Sequence, residues 1–330
     1  MMAPSLLHPP SQLSPAAALE LSQQAPALLQ SSPSTVSSSP LGAIFSASES
    51  PELWIKYENL LLSCLRTGDD LAAQQCLERL AARFGEDNER IMAFRGLVKE
   101  AEAQHPGKLE AVLKDYEQIL KENDTNIPIT KRRVGLLRSM GRVSEAVSAL
   151  VQLLDFSPTD AEGWSELADL YLSQGMYPQA IYALEEVVIL APNAWNIHAR
   201  LGEMQCMAAT ASGAGGSSYQ KYMAESLKRF SRSIELCDDY LRGYYGLKLV
   251  TMRLLKESGK PAKQNDEGGL RLPDTSTIER LNELATAKLS EIVRHSTAGD
   301  RGWRGYDEVE VAAARELLSE DASAASRIER

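Results

Sequence analysis

The sequence predicts an all-α protein built from repeated pairs of helices, and three observations lead to this prediction. Apolar residues recur at offsets of three and four along most of the chain, which is the spacing of one helix face. That pattern returns every 34 residues through the middle of the chain. Only 6% of the residues are aromatic while 44% are hydrophobic, which suits an Ala- and Leu-rich helical protein.

The clearest repeat lies between residues 161 and 193, where large, small and chain-ending residues fall at the offsets of a tetratricopeptide helix pair. Ala168 and Ala180 are small where the two helices approach closely, so we expect the bulky Trp164, Tyr171 and Leu184 to fill the core beside them. Because one helix pair cannot bury its own faces, the pattern predicts a stack of such pairs. The framework positions are Trp164, Leu167, Ala168, Tyr171, Gly175, Tyr177, Ala180, Leu184 and Pro192.

The residues that end helices recur at the same distance as the apolar residues. Gly141 and Gly175 are 34 residues apart, and so are Pro158 and Pro192. Helical spacing alone is weak evidence, since any buried helix shows it, but a fixed period across successive units is strong evidence for a repeat. The sequence therefore predicts a tetratricopeptide-repeat superhelix, or α-solenoid, over residues 50–298.

Four segments depart from this repeat. Residues 1–49 are rich in Ser and Pro and contain no Lys or Arg, so we expect a disordered tail that is neither a secretory signal nor a mitochondrial presequence. We expect the insertions at 208–218 and 258–275 to be flexible loops because they are rich in Gly and polar residues. We expect residues 299–330 to form a C-terminal amphipathic helix and tail, which caps the stack or is loosely attached.

Residue patterns typical of catalysis or metal binding are missing from the sequence. The four histidines have no H-x3-H spacing, and Cys64, Cys76, Cys206 and Cys237 form no C-x2-C pair, so we expect the cysteines to be core residues in a reducing compartment. A net charge of −10 argues against a nucleic-acid partner. The sequence contains no run of 18 apolar residues, so it predicts no membrane span. We therefore expect no enzymatic activity, no metal and no cofactor, which leaves a binding surface.

The first helices of such repeats line the concave face of the stack. This face is predicted to be basic at one end and acidic further along, which suits a polypeptide with its own charge pattern. An alternative is that the polar residues of this face are merely solvated residues on the outer side of ordinary helices. The predicted partner-binding residues are Lys131, Arg138, Ser165, Asp169, Leu172, Asn196 and Glu203.

Two runs carry a more specific resemblance. They are GWSELADLYLSQGMYPQAIYALEEVVILAPN, which begins at Gly163, and YEQILKENDTNIPITKRRVGLLRSMGR, which begins at Tyr116. Together they resemble the subunit 2 family of the endoplasmic reticulum membrane protein complex. Members of that family are built from tetratricopeptide repeats. By repeat layout the resemblance extends from about Pro51 to His295.

This resemblance implies a non-catalytic cytosolic scaffold, peripheral on the cytosolic side of the endoplasmic reticulum membrane. Its partners would be cytosolic tails and loops of the other subunits of that complex, and the assembled complex would insert transmembrane and tail-anchored proteins. A second hypothesis is a soluble co-chaperone or assembly adaptor that binds peptides on the same concave face.

Overall fold

The computed structural model describes residues 4–10, 13–30, 50–213, 216–257, 272–303 and 305–328, and these ranges contain helices and turns but no strand. They fall into two compact units, one ending at Leu153 and the other beginning at Leu154. In each unit, successive helices pack against one another as pairs, so the predicted all-α tetratricopeptide-repeat fold is confirmed.

The first unit contains α1 (Pro15–Ser22), α2 (Ala25–Gln30), α3 (Pro51–Thr67), α4 (Asp70–Phe84), α5 (Glu89–Ala101), α6 (Pro106–Glu122) and α7 (Ile127–Ser139). The boundary between the units falls within α8 (Val143–Phe156). The second unit contains α9 (Ala161–Ser173), α10 (Tyr177–Leu190), α11 (Trp195–Ser212), α12 (Ser217–Leu236), α13 (Leu241–Glu257), α14 (Thr275–Ala298) and α15 (Glu308–Ile328).

The predicted period is visible in the positions at which helices begin. The first helices α7, α9 and α11 begin at residues 127, 161 and 195, so each begins 34 residues after the one before. The second helices α8 and α10 begin at residues 143 and 177, which are also 34 apart. Gly141 and Gly175 precede these two helices with φ of 75° and 69°, a left-handed conformation that favours glycine.

Local capping signals determine where several helices begin. The Ser50 side chain accepts a hydrogen bond from the backbone N–H of Leu53, and Pro51 occupies the first turn of α3. Asp160 caps α9 in the same way, because its carboxylate accepts the N–H of Gly163 at 3.0 Å. The starts of α3 and α9 are therefore fixed by contacts within the first helical turn.

The aromatic framework residues are less buried than we expected. Leu167, Ala168 and Ala180 are at most 3% exposed, but the side chains of Trp164 and Tyr171 are only partly buried. The Trp164 indole N–H donates to the carbonyl oxygen of Pro158 at 2.8 Å. Its ring also packs edge-on against Tyr182, which is 56% exposed. Trp164 therefore holds α9 to the preceding turn, whereas the aliphatic residues fill the core.

The N-terminal segment differs from the predicted disordered tail. Residues 15–30 form α1 and α2, which pack on α3 and α4, and Leu21 is completely buried there. The Asn59 side chain donates to the carbonyl oxygen of Leu6 at 2.8 Å, and Arg79 donates to that of Leu29 at 2.9 Å. The prediction used the Ser and Pro content of residues 1–49 as a whole. It therefore overlooked a short Ala- and Leu-rich stretch that packs on α3. Residues 1–3, 11–12 and 31–49 lie outside the described residues.

Most described residues of the first insertion, which we expected to be a loop, lengthen two helices. α11 and α12 contain 18 and 20 residues, whereas α9 and α10 contain 13 and 14. Alanine is the best helix former, and Ala208 and Ala209 are buried within the extended part of α11. Residues 214–215 of this insertion and residues 258–271 of the second insertion lie outside the described residues.

The C-terminal segment forms the expected amphipathic helix. Val311, Ala314 and Leu317 share one face of α15 and are buried against α13 and α14. The Tyr306 hydroxyl, just before this helix, donates to the carbonyl oxygen of Asp239 at 2.9 Å. α15 is therefore packed onto the second unit along an apolar face.

A polar network connects three helices of the first unit. The Tyr116 hydroxyl of α6 donates to Glu100 Oε1 of α5 at 2.5 Å, and Arg132 of α7 donates to both Glu100 oxygens, from Nε at 3.2 Å. The Glu100 side chain is only 13% exposed. Burial and the Glu100 carboxylate raise the pKa of Tyr116 above its usual range, so the phenol stays protonated and keeps donating.

We expect the Glu100→Ala variant to lower the free energy of unfolding by about 3 kcal/mol, because a largely buried ion pair that loses one member leaves the other uncompensated. Urea unfolding followed by circular dichroism measures this change. The matched control is Glu110→Ala, which removes a 48% exposed carboxylate paired with Arg142 and is expected to cost about 0–1 kcal/mol. If both variants lose the same free energy of unfolding, the Glu100 network stabilises the protein no more than an exposed ion pair does.

Candidate functional site

The second unit contains a groove of about 840 Å³ between α11 and α13, with α15 beside one part of it. We refer to it as the α11–α13 groove. Apolar and aromatic side chains provide much of its lining, among them Ile197, Met207, Phe230, Tyr240, Tyr245 and Leu249. Arginine and glutamate side chains on the same helices add charge, namely Arg200, Glu203, Arg242 and Arg253, and Glu310 of α15 completes this set.

Helix periodicity brings the lining residues onto one face of each helix. On α11 the lining positions Asn196, Arg200, Glu203, Met207 and Thr210 are separated by three or four residues. On α13 the positions Leu241, Tyr245, Leu249 and Arg253 follow at intervals of four. α11 and α13, each the first helix of its pair, therefore each line the groove with a row of mixed apolar and charged side chains.

The floor of the groove depends on two glycines. Phe230 of α12, which is 4% exposed, lies between Gly202 of α11 and Gly246 of α13. A Cβ atom at Gly202 would lie 3.0 Å from Phe230 Cδ2, and one at Gly246 would overlap the ring. The missing side chains let the aromatic ring fill the space between the two first helices.

We expect Gly246→Ala to destabilise the protein by about 1–3 kcal/mol, because the added methyl group collides with a tightly packed ring. The matched control is Gly135→Ala, also within a helix, where the nearest atom to the new Cβ is Arg132 Nη1 at 3.6 Å. That change is expected to stabilise by about 0.5–1 kcal/mol, since alanine favours the helix. Thermal unfolding of both variants measures whether each change lowers or raises stability. Stabilisation by Gly246→Ala would contradict the packing at Phe230.

Two of the three arginines in the groove form ion pairs with carboxylates from neighbouring helices. Arg200 of α11 pairs with Asp169 of α9. Arg242 of α13 pairs with Glu310 of α15 at 2.6 Å, and this hydrogen bond raises the pKa of Arg242. These pairs connect adjacent helices at the edge of the groove.

The third arginine has neutral partners. Arg253 Nη1 donates to Thr210 Oγ1 at 3.0 Å and to Cys206 Sγ at 3.2 Å. Burial raises the pKa of the Cys206 thiol, so the sulfur is uncharged at neutral pH. Within the described part of the chain, no carboxylate pairs with Arg253.

The predicted partner-binding residues occupy three kinds of position. Asn196 and Glu203 line the groove, and Asp169 reaches its edge through Arg200. Ser165 donates to the carbonyl oxygen of Ala161, and Leu172 is partly exposed on α9, so neither lines the groove. Lys131 and Arg138 lie on α7 of the first unit.

Sequence reasoning missed the half of the groove that α13 supplies. Tyr245, Leu249 and Arg253 were not assigned to the concave face, because the insertion at 208–218 interrupts the 34-residue period before that helix. The spacing of four residues between them was the available signal, because residues at this spacing share one face of a helix.

The cysteines and other titratable groups show no clustering that suggests chemistry. Cys64, Cys76 and Cys206 are buried and free, and Cys237 is partly exposed. Burial raises the pKa of Cys64 and Cys76 to about 12. Among the described residues, no three His, Cys, Asp or Glu side chains are placed to hold a metal ion. No helix found there combines the length and apolar character needed to cross a bilayer.

His198 lies on α11 behind the groove and is a buried titratable group, 4% exposed. Its Nε2 is 3.0 Å from the carbonyl oxygen of Pro192, while Nδ1 is buried without a hydrogen-bond partner. Burial lowers the pKa of His198, and the positive charges of Arg229 and Arg232 lower it further, against the opposing bond to Pro192. The folded state therefore favours the neutral ring with its proton on Nε2.

This arrangement predicts the direction of a pH effect. Because the folded pKa is below the unfolded value of about 6.5, the contribution of His198 to stability is complete above that value. It is lost as the pH falls, at no more than about 1.4 kcal/mol per pH unit. Unfolding of wild type and His198→Gln, measured between pH 7.5 and 5.5, should show the weaker acid dependence in the variant. Identical acid dependence would exclude a role for this histidine.

Comparison with known proteins agrees with the repeat geometry. Residues 93–218 match the model of the EMC2 TPR-like repeat domain, a range that includes α11 and ends before α13. TPR repeat protein oca3 of Schizosaccharomyces pombe is 32% identical over 242 residues, which cover 72% of this chain and 82% of that protein. The chain belongs to the EMC2 family of tetratricopeptide-repeat proteins.

Two further members of the EMC2 family match over similar lengths. ER membrane protein complex subunit 2 of Xenopus tropicalis is 27% identical over 241 residues, covering 73% of this chain and 76% of that protein. The Saccharomyces cerevisiae protein of the same name is 24% identical over 249 residues, covering 74% and 78% of the two chains. The resemblance noted from the two sequence runs is therefore confirmed.

Proposed function

We propose that this chain is a non-catalytic scaffold subunit of an endoplasmic reticulum membrane protein complex, located on the cytosolic side of the membrane. In this proposal the α11–α13 groove binds cytosolic tails or loops of the membrane-embedded subunits. Through that attachment the chain supports the insertion of transmembrane and tail-anchored proteins by the assembled complex. Two relatives that carry the name ER membrane protein complex subunit 2 support the assignment to such a complex.

The groove itself is the observation that carries the binding proposal. It combines an apolar floor with charged walls on two neighbouring first helices, and its volume of about 840 Å³ accommodates several side chains of a partner. An amphipathic helix places its apolar face in such a groove and uses the charged walls to fix its orientation. The groove therefore suits a polypeptide segment better than a small polar molecule.

The predicted residues outside the groove are part of the same proposal. Ser165, Asp169 and Leu172 of α9 would extend the binding surface in the second unit. Lys131 and Arg138 of α7 would contact partners from the first unit.

The proposal is tested with two methionines of matched exposure. Met207 is 38% exposed and lines the groove, whereas Met176 is 39% exposed and is not part of the lining. We expect Met207→Glu to reduce co-purification of the membrane subunits at least about tenfold, because a carboxylate must be desolvated when an apolar segment binds over it. Met176→Glu should leave co-purification unchanged.

The measurement is affinity purification of the tagged full chain after detergent extraction, with circular dichroism to verify that both variants remain helical. Equal recovery of the membrane subunits with both variants would exclude the groove as their binding site. Recovery of the wild-type chain without any membrane subunit would instead favour a soluble co-chaperone or assembly adaptor.

A further inference from the structure

We propose that Arg253 recognises a carboxylate side chain of the segment bound in the α11–α13 groove, and that an apolar side chain of the same segment rests on Tyr245 and Leu249. The occupant is thus an amphipathic segment in which an Asp or Glu lies about one helical turn from an apolar anchor. This inference rests on the proposed function of the groove and adds the chemistry of its occupant.

The charge balance of the groove favours a carboxylate ligand at Arg253. Arg200 and Arg242 are already paired with Asp169 and Glu310, so their charges are neutralised within the chain. Arg253 donates to a hydroxyl and a thiol, and among the described residues no carboxylate forms an ion pair with it. A guanidinium in a partly apolar surface gains most from an ionised partner, so a carboxylate is the complementary group.

Arg253 is held in a fixed position. Both of its hydrogen bonds start from Nη1, and their acceptors, Cys206 and Thr210, are one turn apart on α11. Thr210 belongs to the part of α11 that exceeds the 13-residue length of α9. The insertion therefore provides one of the two contacts that orient the guanidinium, and within the described part of the chain Nε and Nη2 have no acceptor and can donate to a ligand.

The carboxylates of α11 and α13 determine where along the groove an acidic ligand residue can bind. Glu257 follows Arg253 by one turn on α13, but its Oε1 accepts the hydroxyl of Tyr219 at 2.8 Å. Glu203 lies seven residues before Thr210 on α11, a distance of about 10 Å along the helix. A ligand carboxylate is repelled near Glu203 and attracted near Arg253. The acidic residue of the segment therefore points toward the C-terminal ends of α11 and α13.

The spacing of the lining residues along α13 matches the spacing of side chains on a partner helix. Tyr245, Leu249 and Arg253 are separated by four residues each and all three line the groove. Neighbours at this spacing on a helix lie about 5–6 Å apart between Cβ atoms. A partner helix presents an apolar residue and a carboxylate at the same separation when they are three or four positions apart.

The test uses the full-length chain and synthetic peptides that tile the cytosolic segments of the membrane-embedded subunits, with binding measured by fluorescence anisotropy. For each bound peptide, every Asp and Glu is replaced singly by its amide. We expect Arg253→Gln to weaken binding of the parent peptide at least about tenfold, as expected for loss of a charge-assisted hydrogen bond. The matched control is Arg232→Gln, which removes an equal charge from an exposed arginine outside the groove.

The decisive result is loss of coupling. One amide-substituted peptide should bind wild type and Arg253→Gln with equal affinity, because each change removes the same interaction. If Met207→Glu abolishes binding but Arg253→Gln does not change it, the groove remains the binding site and the assignment of Arg253 is overturned. If amidation of a peptide's C-terminus reproduces the loss, the ligand group is a terminal carboxylate and the inference is overturned. If no peptide binds, the proposed function falls together with this inference.

Discussion

The close approach of neighbouring helices at small residues is the constraint on which the second unit depends. Ala168 and Ala180 allow α9 and α10 to pack closely, and both are completely buried. At the next pair the small residues are glycines, and Phe230 fills the gap between Gly202 and Gly246. Each helix pair needs the next pair to cover its apolar face. The same close packing therefore also fixes the distance between α11 and α13, which form the walls of the groove.

Ion pairs between elements roughly one repeat apart recur in both units and supplement that apolar packing. Arg132 of α7 reaches back to Glu100 of α5 in the first unit, and Arg200 of α11 reaches back to Asp169 of α9 in the second. The partners are 32 and 31 residues apart, close to the repeat period. The Glu100 pair is largely buried and includes Tyr116, whereas the Asp169 pair lies at the surface, so the two contribute differently to stability.

The lengthening of α11 gives the second unit its individual character. Five residues beyond the ordinary first-helix length continue the wall of the groove and bring Thr210 to Arg253. A flexible loop of the same composition would have left the guanidinium without this support. The insertion therefore connects the architecture of the unit to the chemistry that the groove offers to a partner.

The sequence by itself determined the helical class, the period of 34 residues and several helix ends. These features depend on local signals: capping side chains such as Ser50 and Asp160, glycines with positive φ, and apolar spacing along a single helix. The sequence also identified Asn196 and Glu203, because helix geometry alone places them on the open face of α11.

Tertiary structure decided the rest. It packed α1 and α2 against α3 and α4 and left Trp164 partly exposed. It also extended α11 and α12 into the first insertion and brought Tyr245, Leu249 and Arg253 opposite α11. Each of these outcomes depends on contacts between residues far apart in the chain. Helical periodicity shows which side of a helix is buried, but the neighbour that covers it is set only when the helices pack together.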